Sequence, residues 1–205
     1  MQNYKKTENA DKVVFAMKLE TVPGGGTVAV KDLGGNRVYA GSPLRKESNG
    51  LYHVIKTALV AEDLGASAKS VKVAKGHLFK VGDKIGVAGT ANTTISAIDK
   101  TSTSYDVITL AAALGAVSAN GILEEIADTS KNAGYAPFGY LGETFDVLEN
   151  NNHLQSIVVR GSINEAALAC PVSATMKAAT GIRNLVASAF QVSVGVNLRG
   201  KKLGQ

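Results

Sequence analysis

Disulfides, thiolate metal cages and tryptophan are all missing from this sequence. Cys170 is the whole thiol inventory of 205 residues, which excludes an internal disulfide and any multi-cysteine metal site. It reads as a small buried hydrophobe. With no Trp, five Phe and six Tyr, the chain is poorly supplied for a sugar-binding face of stacked rings. No apolar run reaches the roughly 18 residues needed to span a membrane, so no contact with one is expected. The opening residues, MQNYKKTENADK, lack the apolar core of a secretory signal, and a cytosol-like compartment of synthesis is expected.

The motifs of common chemistry are missing too. HExxH, GxxxxGK[ST] and GxSxG do not occur. Gly24-Gly25-Gly26 precedes a strand-like run rather than a helix, so it reads as a turn and not a phosphate cradle. His53, His77 and His153 have no ligand spacing and read as surface or loop residues. The neighbours Glu62-Asp63 and Glu124-Glu125 would point to opposite faces of a strand and could not share a substrate. Asp83, after Gly82, and Asp99, at a strand end, read as turn formers whose short side chains hold nearby backbone. A small hydrolase using His77 with Asp83 or Asp99 is therefore the weakest reading. No catalytic, cofactor-binding or metal-ligating set is assigned, and Asn92-Thr93-Thr94 carries little weight as a glycosylation site without export.

What is present is short, glycine-punctuated strand pattern. Phe15, Met17 and Leu19 alternate with small or polar residues, as on a half-buried strand. Between 22 and 50, turn signals crowd the chain: Pro23-Gly24, Gly34-Gly35-Asn36, Gly41-Ser42-Pro43 and Ser48-Asn49-Gly50. Residues 1–60 thus read as an irregular β segment or an extended arm. From 61 to 130 the pattern is regular. After a run from Tyr52 to Val60 come strands over 70–75, 84–87, 94–99, 105–110 and 122–126, spaced by about ten residues. This predicts a small antiparallel β-barrel or sandwich.

Residues 131–205 combine a loop, a strand (156–160), a helix and a basic end. The loop holds Tyr135, Phe138, Tyr140 and Phe145, and Tyr135, Phe138 and Tyr140 make a candidate binding surface or a plug over a barrel end. A helix is expected near Asn164 and again over 172–189, where Met176, Ala179, Ile182, Leu185, Val186 and Ala189 form one apolar stripe. A last strand is expected from Phe190 to Val196. The fold class is mainly β with one late helix.

The charge is uneven. Of 22 Lys+Arg against 17 Asp+Glu, five bases lie beyond Glu165 (Lys177, Arg183, Arg199, Lys201 and Lys202), with no acid among them. The rest of the chain balances, 17 against 17. A basic end can meet an acidic or self-complementary protein surface, meet nucleic acid, or stay solvated. No aromatic residue interleaves with Arg199-Gly200-Lys201-Lys202 to stack on bases, which weighs against nucleic acid.

Two stretches carry a resemblance. One runs from Gly76-His77-Leu78-Phe79-Lys80-Val81-Gly82-Asp83-Lys84-Ile85 through Thr94-Ile95-Ser96-Ala97-Ile98-Asp99 and Asp106-Val107-Ile108-Thr109-Leu110 to Leu114-Gly115-Ala116 and Gly121-Ile122-Leu123. The other is Val158-Val159-Arg160-Gly161-Ser162-Ile163-Asn164-Glu165-Ala166-Ala167-Leu168. Together they resemble the β modules of tailed-phage head proteins: decoration, auxiliary capsid and head-fibre proteins. The resemblance spans about residues 70–170, and residues 1–60 and the segment after Pro171 lie outside it. It implies a virion structural protein, made in the bacterial cytoplasm, that binds the major capsid protein and other copies of itself or other capsid proteins. It implies no catalytic residues and no cofactor. The alternative is a head-fibre or tail adhesin-like module that binds a host surface through the 135–145 loop.

Overall fold

The computed structural model describes residues 13–147 and 152–178, together with the backbone of 182–185. The strands are, in chain order, β1 (Phe15–Thr21), β2 (Gly26–Ala29), β3 (Arg37–Val38), β4 (Pro43–Lys46), β5 (Tyr52–Val54) and β6 (Thr57–Leu59). There follow β7 (Ser70–Ala74), β8 (Lys84–Val87), β9 (Ala91–Asp99), β10 (Tyr105–Leu110) and β11 (Ile122–Asp128). The last third adds β12 (Ala133–Gly134), β13 (Gly139–Leu141), β14 (Phe145–Asp146), β15 (His153–Gln155), β16 (Ile157–Asn164), α1 (Ala174–Ala178) and β17 (Ile182–Leu185). The protein is mostly β with one short late helix, as its turn-punctuated sequence predicts.

Two sheets hold nearly all of this. In the second sheet the order is β12-β11-β8-β9-β10-β7, with β6 also on β11. Its strands are antiparallel, and β8–β9 and β9–β10 are neighbours in sequence. The sheet curls until Val60, just past β6, bridges Val73 of β7. The pairing path therefore returns to its start, which leaves a barrel-like interior filled by alternate residues such as Val71, Val73, Ile85, Ile95, Ile108 and Leu123. Alternation is the reason: every second side chain of a strand faces the same way.

The first sheet runs β1-β16-β13-β4-β5-β2-β15, with β17 also on β16. It is built from the two ends of the chain. Val28 and Tyr52 pair in parallel, while Leu44 meets Gly139 and Val54 from either side. β2, β4 and β5 are thus woven into this sheet, while β3 pairs with β14 in a sheet of two strands; residues 1–12 lie outside the described residues.

The predicted run from Tyr52 to Val60 is split into β5 and β6, because at Ile55-Lys56 the chain leaves the first sheet for the barrel. Leu78 and Phe79 join the two cores: Leu78 packs with Leu44 and Val54, Phe79 with the barrel interior. Gly34 makes that junction close, since a Cβ there would run into the Phe79 carbonyl oxygen.

The helix predicted over 172–189 is a correction. Asn164 does cap a helical turn, its Oδ1 accepting the Ala166 N–H at 3.2 Å, but that turn is a 3-10 turn of three residues. α1 is five residues long, and Ile182–Leu185 is a strand parallel to Gly161–Asn164 of β16. The edge of β16 offers this stretch a ladder, and tertiary pairing overrides an apolar stripe whose segment is already weakened as a helix by Thr180 and Gly181. The predicted strand over 190–196 lies outside the described residues.

Candidate association surface

The feature that stands apart is β1. The sequence expects Phe15, Met17 and Leu19 to pack one face of a half-buried strand. Phe15 does pack, against the cluster of Ile55, Val158 and Ile163. Beyond it every residue of β1 is exposed, with Met17 at 55% and Leu19 at 64%, and Val13 just before it at 74%. Among the described residues β1 ends the sheet, with its partner β16 on one side only. Register shifts at Phe15/Met17 and Lys18/Glu20 twist it against β16, as bulges do. Lys18 donates to the Gly142 carbonyl at 2.9 Å, and Glu20 pairs with Arg160 at 3.5 Å, so the strand is held while its apolar side chains face outward. An exposed apolar edge is a template for another chain.

The candidate residues of the basic end fall in three places. Lys177 has an acid after all: its Nζ donates to Glu165 Oε2 at 2.6 Å, because the 3-10 turn and α1 fold back on each other. Arg183 lies on β17. Arg199, Lys201 and Lys202 lie outside the described residues. The aromatic candidates also part company. Tyr140, on β13, is buried in the core with Ile55 and Val158, so it is unavailable to a partner. Tyr135 lies 4.3 Å beneath the Arg45 guanidinium and lines a shallow cleft of about 250 Å³ with Lys131 and Thr175. Phe138 alone is well exposed; its ring meets Tyr52 edge-on at 5.6 Å, and Lys46 lies over it. Tyr140 therefore fills the core beside the first sheet rather than an end of the barrel, while Phe138 is exposed.

The histidines divide on the expectation of surface or loop residues: His77 is in a loop, whereas His53 and His153 are on strands. His53 and His153 are partly buried on β5 and β15, and His77, between β7 and β8, is fully buried. Its Nε2 lies 3.2 Å from Asp106 Oδ2, while Asp106 Oδ1 accepts from Lys75 at 2.5 Å. Burial lowers the His77 pKa, the Lys100 and Lys75 charges lower it further, and Asp106 pulls it back. Asp99 is the turn former expected, accepting the Thr101 N–H at 2.9 Å. Asp83 does the same for Lys80 at 2.8 Å, but also binds Lys56. His77, Asp83 and Asp99 each answer to a different partner.

Glu124 and Glu125 do take opposite sides of β11. Burial raises the pKa of Glu124, whose Oε2 accepts from Ser173 at 2.9 Å. Cys170 is buried, as its count suggests. Among the described residues no helix is long and apolar enough to cross a membrane, and no group of three or more His, Cys, Asp or Glu is placed to hold a metal.

Set against models of protein families, curated proteins and solved structures, the chain matches none of them.

Proposed function

We propose that this chain is an auxiliary structural protein of a tailed-phage head, docking on the major capsid protein and on neighbouring copies to stabilise the shell. The observation that carries the reading is β1, an edge strand with Val13, Met17 and Leu19 facing outward. Such an edge adds affinity through main-chain hydrogen bonds and specificity through its alternate side chains. The resemblance of residues 76–123 and 158–168 to head proteins supplies the kind of partner, and both stretches belong to paired strands around well-filled cores. The basic residues Arg199, Lys201 and Lys202 would add contact with an acidic capsid face. The fibre or adhesin-like alternative rests on the 135–145 loop, whose rings are divided between core and surface.

The test is co-sedimentation with purified capsid shells. The parent chain should pellet with the shells. Met17→Ser with Leu19→Ser should lose most of that association and keep the parent's thermal midpoint, because both side chains are exposed. Undiminished pelleting of the double variant, or a parent that never pellets, would sink the reading.

A further inference from the structure

A lysine in an apolar run is a local contradiction. In Ile55-Lys56-Thr57-Ala58-Leu59-Val60 the charged residue has apolar neighbours, and its side chain is 1% exposed. It sits where the chain crosses from the first sheet to the barrel. Its backbone is fixed from both sides: Ile55 N–H donates to the Pro43 carbonyl at 2.8 Å, and Lys56 accepts the Glu125 N–H at 2.9 Å. A buried charge is costly unless paired, and even a paired one pays heavily in desolvation.

Two carboxyl groups share this pocket of the fold. Asp83 Oδ2 lies 2.8 Å from Lys56 Nζ, and Glu125 Oε1 lies 3.9 Å from it. Each is rigidly mounted. Asp83 belongs to the turn before β8, its Oδ2 taking the Lys80 N–H and its carbonyl taking the Ile95 N–H at 2.9 Å. Glu125 is in β11, and its second oxygen, Oε2, lies 3.3 Å from the Lys56 N–H. Amine, carboxyl and second carboxyl thus come from three backbone segments and converge where little solvent reaches, the Asp83 and Glu125 side chains being 9% and 14% exposed.

We propose that Lys56 and Asp83 condense into an intramolecular isopeptide bond, with Glu125 as the proton shuttle. A proton passes from the Lys56 ammonium to the Asp83 carboxylate, which leaves a neutral amine beside a neutral acid. The Nζ lone pair attacks Asp83 Cγ to form the C–N bond. Glu125 takes a proton from the nitrogen and returns it to a departing hydroxyl, the C–O bond breaks, and one water leaves. Both charges disappear and no redox partner is involved. Fixed placement supplies what an intermolecular condensation lacks, since held reactants behave as if at very high concentration. A shuttle must be able to carry a proton, and burial raises the Glu125 carboxyl above its ordinary range, with the Asp83 charge adding to the effect and those of Lys56 and Arg45 opposing it. The product welds the crossover between the two sheets to the turn that opens β8. Like any cross-link, it would restrict the unfolded chain.

The alternative occupant of this geometry is a plain buried ion pair, and mass spectrometry separates the two. The full chain, folded, purified and then denatured, should be lighter than its sequence by one water. A tryptic digest should show no cleavage after Lys56 and a branched peptide joining the Lys56 and Asp83 segments. Glu125→Gln, nearly isosteric, should carry the unmodified mass at the time the parent is complete, and Lys56→Arg should carry it permanently. A parent at its full sequence mass, with Lys56 cleaved normally, overturns the bond. So does a water loss that maps elsewhere. Bond formation at the parent's rate in Glu125→Gln overturns the role of Glu125. The parent's mass decides the main point even where a variant fails to fold, and none of these readouts depends on shell binding.

Discussion

The barrel and the first sheet are made of the same short strands, yet they are assembled differently. In the barrel, β8, β9 and β10 follow one another and pair with one another. In the first sheet, Phe15 meets Ile163, Leu44 meets Gly139 and Thr27 meets Leu154. The barrel is seeded by hairpins between neighbours in sequence and closed by the longer-range pair of β6 with β11; the first sheet needs segments from early and late in the chain at once. Loop closure makes the second kind slower to form. It also leaves an edge, whereas a sheet that curls onto itself hides one. The exposed apolar side chains Val13, Met17 and Leu19 are at or beside that edge, while the barrel interior is filled by buried apolar side chains.

The contrast can be broken most forcefully from the barrel side. Phe79 is fully buried there, and Phe79→Ala should cost about 3–5 kcal/mol in a denaturant titration, melting barrel and sheet together through the Leu78 junction. A chain that keeps its midpoint, or unfolds in two separate steps, would show that the two regions are not coupled there.

A smaller and more local effect is expected at the edge. A Cβ on Gly161 would run into the Met17 carbonyl oxygen across the β1–β16 ladder. Gly161→Val should therefore cost about 1–3 kcal/mol, the usual range for a forced overpacking. Hydrogen exchange should show protection lost along β1 and retained in β9 and β10. Uniform loss would mean that β1 is no separate unit.

The gentlest probe is pH. His77, with Asp106, Lys75 and Lys100 around it and the Phe79 ring 5.9 Å away, has a depressed pKa because burial disfavours the charged ring. The unfolded chain takes up the proton near the ordinary value of 6.5. The stabilising contribution is therefore present above that value and lost as pH falls from it towards the lower folded pKa. Denaturant midpoints should decline across this window more steeply in the parent than in His77→Gln. Equal slopes would place the pH sensitivity elsewhere.

Legibility followed the same division. Strands 70–74, 84–87, 105–110 and 122–128 carry period-two alternation and local turn residues, so their existence and order could be read directly. Residues 26–54 carried turns as clearly, but their partners lie at the far end of the chain, and no local pattern names them. The helix over 172–189 was misread because an apolar stripe says only that a face is buried. The edge of β16 decided that Ile182–Leu185 would be strand. Lys56 did leave a mark, a lone charge in an apolar run, but its meaning depended on Asp83 and Glu125 arriving from other strands. His77 and Tyr140 had no mark at all, since burial of a loop residue is a property of what folds over it.

Taken alone, then, the sequence determined a β protein with one filled barrel-like module, a buried lone cysteine and turn-forming Asp83 and Asp99, because alternation and turn chemistry act between near neighbours. Tertiary structure alone decided that, among the described residues, β1 beyond Phe15 would be exposed at a sheet edge, that Lys177 would meet Glu165, and that one lysine and two carboxyls would share a nearly buried site. Each of these depends on segments far apart in sequence, and their proximity is set by how the sheets close rather than by any residue's own preference.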